Sequence, residues 1–371
     1  MKPEPAPTPT FLSVATMAAV DVRPWKLVAL AEAIGATLEG NGEIEIRGAA
    51  PLDRAGTHDI AFLSDPKYRV HLETTQAAAV ILSPREATSW TTSKARLLTA
   101  NPYAAYARAA NCLYPEPQPP TGIHPTATVA KTAQVAPDAF VGPHATIGEQ
   151  AVIGARSIIG DGCAVGAQVI IGNDVRLYPC VVIYSRCVVG DRCVLHSGCV
   201  IGADGFGFAN EDGRWIKIPQ IGRTVLHNDV EVGANTSIDR GVLDDTIVEE
   251  GAKIDNLVQI GHNCVVGAHT AIAGCAGISG SVKIGKYCRI GGAAMIGGHL
   301  SIADGAIVAA ATPIFSSIET PEMYSGVYPV QPHRQWQKNA VQLRQLDTLY
   351  KRVRALEKAL AGGTPAENEE D

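Results

Sequence analysis

Ten histidines are spread over 371 residues, and one has a setting suited to chemistry. His262 stands in the segment Lys253-Ile-Asp-Asn-Leu-Val-Gln-Ile-Gly-His-Asn263, with Asp255, Asn256, Gln259 and Asn263 as polar neighbours. Eighteen residues further on is Gly280, and thirty-six further on is Gly298, with His299 beside it. A neutral imidazole near an unobstructed backbone N–H is what acyl transfer to a nucleophile needs. The base removes a proton from the attacking group, and the N–H stabilises the tetrahedral oxyanion. Glycine at 280 leaves that N–H open. The competing structural reading of the same residues is a His–Asn pair that caps a turn of the chain.

Histidines 262, 269 and 299 could instead hold zinc, since three-histidine sites occur on trimeric β-helices. Their placement opposes this. His262 lies two places after Ile260, whereas His269 lies three after Val266, and His299 is 30 residues from His269, not a multiple of 18. No metal is expected.

A spacing of 18 has meaning only in a chain that returns on itself every 18 residues, and a six-residue repeat supplies that frame. Stepping by six from Ile123 to Ile201 meets fourteen aliphatic residues without a miss, and from Val248 to Ile314 twelve more. Leu226, Val232 and Ile238 keep the step between these runs. No α-helix has this period, and strand alternation does not fix every sixth site. Glycine often follows the aliphatic residue, as at 142, 148, 154, 160, 261, 285 and 291, where it would let the backbone turn a corner that side chains would crowd. The sequence therefore predicts a parallel β-helix of triangular section, with one face and one corner per hexad and coils stacked about 4.8 Å apart. Six of the nine cysteines (163, 187, 193, 199, 264 and 288) fall four places after a repeat aliphatic, which makes them small core side chains rather than disulfides or ligands.

The flanks divide the chain further. Residues 1–21 read as a disordered extension; with Lys2 offset by Glu4 they lack the basic start of a signal peptide. Residues 22–114 carry helical and strand patterns of a small α/β domain, and the Pro-rich stretch 115–122 is a linker. The β-helix occupies 123–320, interrupted at 202–219, which carries Phe206, Phe208 and Trp215, and at 239–245, where the register slips by four. Insertions in solenoids gather on the functional face. Residues 321–362 form a helical segment, basic through Arg334, Lys338, Arg344, Lys351, Arg352, Arg354 and Lys358, and 363–371 are an acidic tail. That helix suits a coiled coil between subunits or a docking face for an acidic partner. A net charge of −6 gives no reason to expect nucleic acid, and no apolar run is long enough to span a membrane. At most peripheral membrane contact and a cytoplasmic location are expected.

The chain resembles the UDP-3-O-acylglucosamine N-acyltransferases of lipid A biosynthesis. The resemblance rests on Gly202-Ala-Asp-Gly-Phe-Gly-Phe208, Lys217-Ile-Pro-Gln-Ile-Gly222, Thr236-Ser-Ile-Asp-Arg-Gly-Val-Leu-Asp-Asp245, Ile254-Asp-Asn-Leu-Val-Gln-Ile-Gly-His-Asn263 and Ile296-Gly-Gly-His299. It implies a left-handed parallel β-helix assembled as a homotrimer, a (3R)-hydroxyacyl donor on acyl carrier protein, and the 2-amino group of a UDP-3-O-(3-hydroxyacyl)-glucosamine as acceptor. It places the general base on His262, the oxyanion donor on the Gly280 amide, and substrate contacts on Gln259, Asn263 and His299. The basic C-terminal helix then becomes the docking site for acyl carrier protein. No cofactor is expected, since 4'-phosphopantetheine arrives on the donor.

In the N-terminal domain the matching segment is Ala61-Phe62-Leu-Ser-Asp-Pro-Lys-Tyr68. The resemblance implies uracil held between Phe62 and Tyr68 with Asp65 alongside, although the family commonly has Asn where this chain has Asp65, and an ionised Asp cannot donate. Other readings are a nucleotide-sugar N-acetyltransferase using acetyl-CoA, a γ-type carbonic anhydrase-like zinc β-helix, and a non-catalytic scaffold.

Overall fold

The computed structural model describes residues 23–90 and 93–361. The extension 1–21 and the tail 363–371 lie outside the described residues. The chain divides into two compact units, Met1–Gln118 and Pro119–Asp371.

The first unit is built on a five-stranded sheet in the order Thr37–Glu39, Ala95–Leu98, Ala79–Leu82, Asp59–Phe62, Gly48–Ala49. The central strand Ala79–Leu82 is apolar at every position because both of its faces are covered. Helices α1 (Leu27–Ile34) and α3 (Pro102–Leu113) contribute Leu27, Leu30, Ile34, Ala105 and Ala109 to the core on one face. Leu63, Leu72, Val80, Leu82 and Trp90 pack on the other. Short helix α2 (Pro84–Thr88) follows the central strand. Asn101 caps α3 by accepting from the Ala104 N–H, with Pro102 in the first turn, where its missing donor costs nothing.

The second unit is the six-residue repeat made solid. Its strands form three parallel sheets of nine, eleven and ten strands, and successive members of a sheet lie one coil apart. Gln259 pairs with Gly277, and Gly277 with Met295, so 18 residues make a coil in this stretch. The aliphatic column is buried from Val141 to Ile314, with Val129 and Val135 partly buried and Ile123 exposed. Both interruptions fall where the step fails. Val200 pairs with Ser237 and Ser237 with Gln259, so these coils take 37 and 22 residues. The first insertion is a hairpin, Phe208–Glu211 against Arg214–Lys217, turning at Asp212 and Gly213, both with positive φ. The last strand of the stack, Met323–Tyr324, lies just past the boundary drawn at 320.

The corners work differently from the expectation. Except for Gly202 at the first insertion, the glycine after the aliphatic residue is not the left-handed one: apart from Asp212, every described non-glycine residue with positive φ stands three places after the aliphatic. A left-handed L-residue costs about 1–2 kcal/mol, offset here by a backbone bond to the previous coil, such as Gln168 N to Glu149 O at 2.8 Å. The glycines are needed for close approach. A Cβ on Gly154 would sit 2.3 Å from Gly172 O, and one on Gly291 would sit 2.4 Å from Ala310 N.

The six repeat-register cysteines are buried and unpaired. Five of their thiols also donate to backbone carbonyls: Cys163 Sγ reaches Tyr178 O and Cys264 Sγ reaches Ser279 O, both at 3.1 Å. Ser157 and Thr270 make the same bond from the same register, to Gly172 O and Gly285 O. A small side chain with one donor is what the place requires.

Beyond the β-helix the expected helical segment is two helices, α4 (His333–Arg344) and α5 (Leu346–Ala361), separated at Gln345. Trp336, Leu343, Leu349, Tyr350 and Leu356 are exposed along them. Among the described residues no helix is long and apolar enough to cross a membrane.

Candidate active site

His262 follows the strand Gln259–Ile260, and Gly280 follows Gly277–Ile278, the next strand of the same sheet. The coil arithmetic therefore puts both at one corner. Contact is close: a Cβ on Gly280 would lie 2.6 Å from His262 Nε2 and 2.7 Å from its Cε1. Backbone bonds lock the levels together, Ser281 N to His262 O at 2.8 Å and His299 N to Gly280 O at 3.0 Å. The Gly280 N–H meets no acceptor among the described residues.

The ring's other nitrogen is held by Asn263. Asn263 Oδ1 accepts from the Val242 N–H at 3.0 Å and lies 3.0 Å from His262 Nδ1. The Val242 donor decides which end of the Asn263 amide faces the pair, so the acceptor oxygen faces Nδ1. Nδ1 then carries the proton, and Nε2 keeps a lone pair facing Gly280. An imidazole held this way is able to accept a proton at Nε2. Asn263, expected as a substrate contact, bonds the Val242 N–H and the His262 ring here.

A cleft of about 840 Å³ opens in front of Nε2. The insertion 202–219 contributes Asp204, Phe206, Phe208 and Lys217; the coils contribute Asp239, Gln259, Gly277, Ser279, Met295 and Phe315. Gly205 must be glycine, since a Cβ there would stand 2.7 Å from His262 Cβ. Lys217 pairs with Asp204. Gln259 Nε2 donates to Asp239 Oδ2 at 3.0 Å. Burial pushes the Asp239 carboxyl above the usual carboxylate range, opposed by the Gln259 bond and by His262. Of the polar residues expected around His262, Asp255 and Asn256 turn at a different corner, where they accept from Gly274 N and Ala234 N. His299 is exposed and does not line this cleft. His269 belongs to a third corner, where its ring stacks on Tyr287.

Burial disfavours the nucleophilic thiolate form of the core cysteines. Burial raises the Cys264 thiol to about 11 and the Cys199 thiol to about 12.

The first unit has its own cavity of about 340 Å³, lined by Pro51, Leu52, Asp53, Phe62, Ser64, Tyr68, His71, Tyr103 and Tyr106. Phe62 is stacked on Tyr106 with centroids 4.1 Å apart, so it is a wall fixed in place. Tyr68 is half exposed, with the Lys67 ammonium 4.8 Å from its ring centre. Asp65 is not in the lining. It caps the short 3-10 helix Pro66–His71 by accepting from Lys67 N at 3.0 Å and pairs with the Lys67 ammonium at 2.9 Å. The aromatics of α3 were not singled out from the sequence, where only their i, i+3 spacing marks a shared face.

Comparison with known proteins follows the two units. Residues 43–112 match the family model described as UDP-3-O-(3-hydroxymyristoyl) glucosamine N-acyltransferase, LpxD. Residues 168–203 match the bacterial transferase hexapeptide model. The UDP-3-O-acylglucosamine N-acyltransferase of Janthinobacterium sp. is 48% identical over 340 residues, 90% of this chain and 97% of that one. The Pseudomonas fluorescens protein of the same name is 49% identical over 343 residues, covering 92% and 97%. Among solved structures, the UDP-N-acetylglucosamine acyltransferase from Campylobacter jejuni is similar over 55% of this chain and 71% of that one, with TM-score 0.42 and 20% identity.

Proposed function

This chain belongs to the UDP-3-O-acylglucosamine N-acyltransferase family of lipid A biosynthesis, and from that premise we propose that it transfers a (3R)-hydroxyacyl chain from acyl carrier protein to the 2-amino group of UDP-3-O-(3-hydroxyacyl)-glucosamine. The observation that carries this reading is the preset His262 Nε2 facing Gly280 at the mouth of a partly apolar cleft.

In the reaction the amine nitrogen attacks the thioester carbonyl and a C–N bond forms. His262 Nε2 takes the proton that the nitrogen loses. The carbonyl oxygen becomes an oxyanion, which the Gly280 N–H receives. On collapse the C–S bond breaks, and the imidazolium returns the proton to the departing pantetheine sulfur. The products are an amide and a thiol, with no resident cofactor and no metal. Phe206, Phe208, Met295 and Phe315 give the acyl chain an apolar wall. The smaller cavity of the first unit takes the uracil base against Tyr68 and Phe62.

The working form in this reading is a homotrimer in the cytoplasm. The basic face of α4 and α5 serves as the landing surface for the acidic carrier protein.

The test is direct. The full chain is mixed with hydroxyacyl-carrier thioesters and the UDP-glucosamine 3-O-monoester, and amide product is followed by mass. His262→Ala should lose roughly 10²–10⁴-fold in rate, the usual worth of a general base, with the fold retained. Unchanged turnover in that variant sinks the mechanism.

A further inference from the structure

Asp239 is the one carboxylate in the His262 cleft that has no cationic side-chain partner among the described residues. It ends the strand Ser237–Asp239, which pairs with the strand leading into His262 through Ser237–Gln259 and Ile238–Ile260. Asp239 takes the place after Ile238 that glycine holds after Ile260 and Ile296 in other coils of this sheet. Gln259 Nε2 occupies Oδ2 at 3.0 Å, and Oδ1 meets no donor among the described residues. A half-buried carboxylate left one hydrogen bond short beside a general base is unfavourable as structure alone.

We propose that Asp239 is a further catalytic residue of the transfer: Oδ1 accepts one N–H of the attacking amine, which aims the nitrogen lone pair at the thioester, and its charge faces the imidazolium formed at His262. This rests on the reading of the cleft as an N-acyl transfer site. The remaining charged or titratable groups that face Asp239 are few. Asp204, on the insertion, opposes its ionisation but is neutralised by Lys217, and the Cys264 thiol below it is held protonated by burial. His262 is thus the cation-forming group that Asp239 faces. Gln259 supplies a neutral donor that holds the carboxylate in one rotamer without cancelling its charge.

The experiment compares wild type with Asp239→Asn and Asp239→Ala in the full chain, with kcat and both KM values measured from acidic to alkaline pH, and thermal melts alongside. Asp239→Asn keeps an acceptor for Gln259, so it should melt like wild type. Its kcat should fall roughly 10- to 100-fold, with KM for the acyl donor unchanged. The acidic limb of its pH–rate profile should move to lower pH, because the negative charge that favours the protonated base has gone. Asp239→Ala should show the same shift with a larger loss. A well-folded Asp239→Asn with wild-type kcat and an unmoved acidic limb overturns the proposal. So does a loss of kcat that tracks only a lowered melting temperature. If wild type itself forms no amide, the underlying acyl-transfer reading has failed instead.

Discussion

The imidazole of His262 lies across the Cα of Gly280, with Nε2 2.6 Å from where a Cβ on residue 280 would stand. Two residues 18 apart in sequence are therefore one structural unit, and the absence of a side chain at 280 is a condition for the imidazole to reach its position.

Gly280→Ala should accordingly disable the site without undoing the coil. A methyl at 2.6 Å forces the ring to turn away from the amide beside it, breaking the link to Asn263 or closing the cleft mouth. Misplacing a base by about 1 Å costs on the order of 100-fold. Steady-state kinetics should show that loss in kcat, with circular dichroism unchanged.

Asn263 should behave as a positioning residue. In Asn263→Ala both the Val242 N–H and the His262 Nδ1–H lose their acceptor. A lost bond of this kind costs about 1–3 kcal/mol, which as misorientation of the base is roughly a tenfold to hundredfold fall in kcat. Asn263→Asp still accepts from both donors and should restore most of it. Equal activity in all three proteins would show that the ring is held by its packing alone.

What the sequence made legible follows from what is periodic. The aliphatic step of six and the alignment of His262 with Gly280 are matters of counting, and both stand in the structure. Counting fails where a coil has a different length. Eighteen back from Gln259 is Gly241, but the longer coil pairs Gln259 with Ser237, so Asp239 escaped notice. The corner was also misassigned. Glycine was read as the turning residue, whereas the turn is made two places later by residues as varied as Arg156, Leu257 and Tyr287. No composition signal marks that place, because its strain is offset by backbone bonds to the preceding coil. In the first unit, Tyr103 and Tyr106 come to Phe62 from a helix about 40 residues away, and nothing periodic links them.

The two roles within a hexad give a pair of opposite expectations. Gly291→Ala puts a methyl 2.4 Å from the Ala310 backbone nitrogen, where no flexible side chain can give way. Overpacking of this kind costs roughly 1–3 kcal/mol or more. Ala293, two residues on, has φ 57°, so Ala293→Gly removes left-handed strain of about 1–2 kcal/mol against a smaller loss of unfolded-state restriction. Denaturant melts should place the first variant well below wild type and the second level with it or slightly above.

In the first unit, Tyr68→Ala and Asp65→Ala should separate. Tyr68 lines the cavity and is half exposed, so its loss should raise KM for the UDP-sugar about tenfold through lost stacking of about 1–3 kcal/mol, with little change in melting. Asp65 caps a 3-10 turn outside the lining. Asp65→Ala should therefore loosen the segment that carries Tyr68, and Asp65→Asn, which caps equally well, should leave KM where it was. A tenfold rise in KM for Asp65→Asn would mean that the carboxylate touches the ligand after all.

The buried cysteines make the fold sensitive to alkali in a defined direction. Burial raises the thiols of Cys163, Cys193 and Cys264 to about 11 and that of Cys199 to about 12, from an ordinary 9.0. The native state therefore holds protons that the unfolded chain releases. The stability these groups contribute is fully present below about pH 9 and is lost as pH rises through 11 to 12. Denaturation midpoints should be flat from pH 7 to 9 in this respect and fall steeply above it, while Cys199→Ala, lacking the most shifted thiol, should fall less steeply from a lower start. At neutral pH a thiol reagent should label the exposed Cys180 and Cys275 readily and leave all six repeat-register cysteines untouched until denaturant is added. Rapid labelling of Cys264 in the native protein would contradict its burial against the Ser279 carbonyl, and with it the thiol-donor ladder that ties the His262 coil to the next.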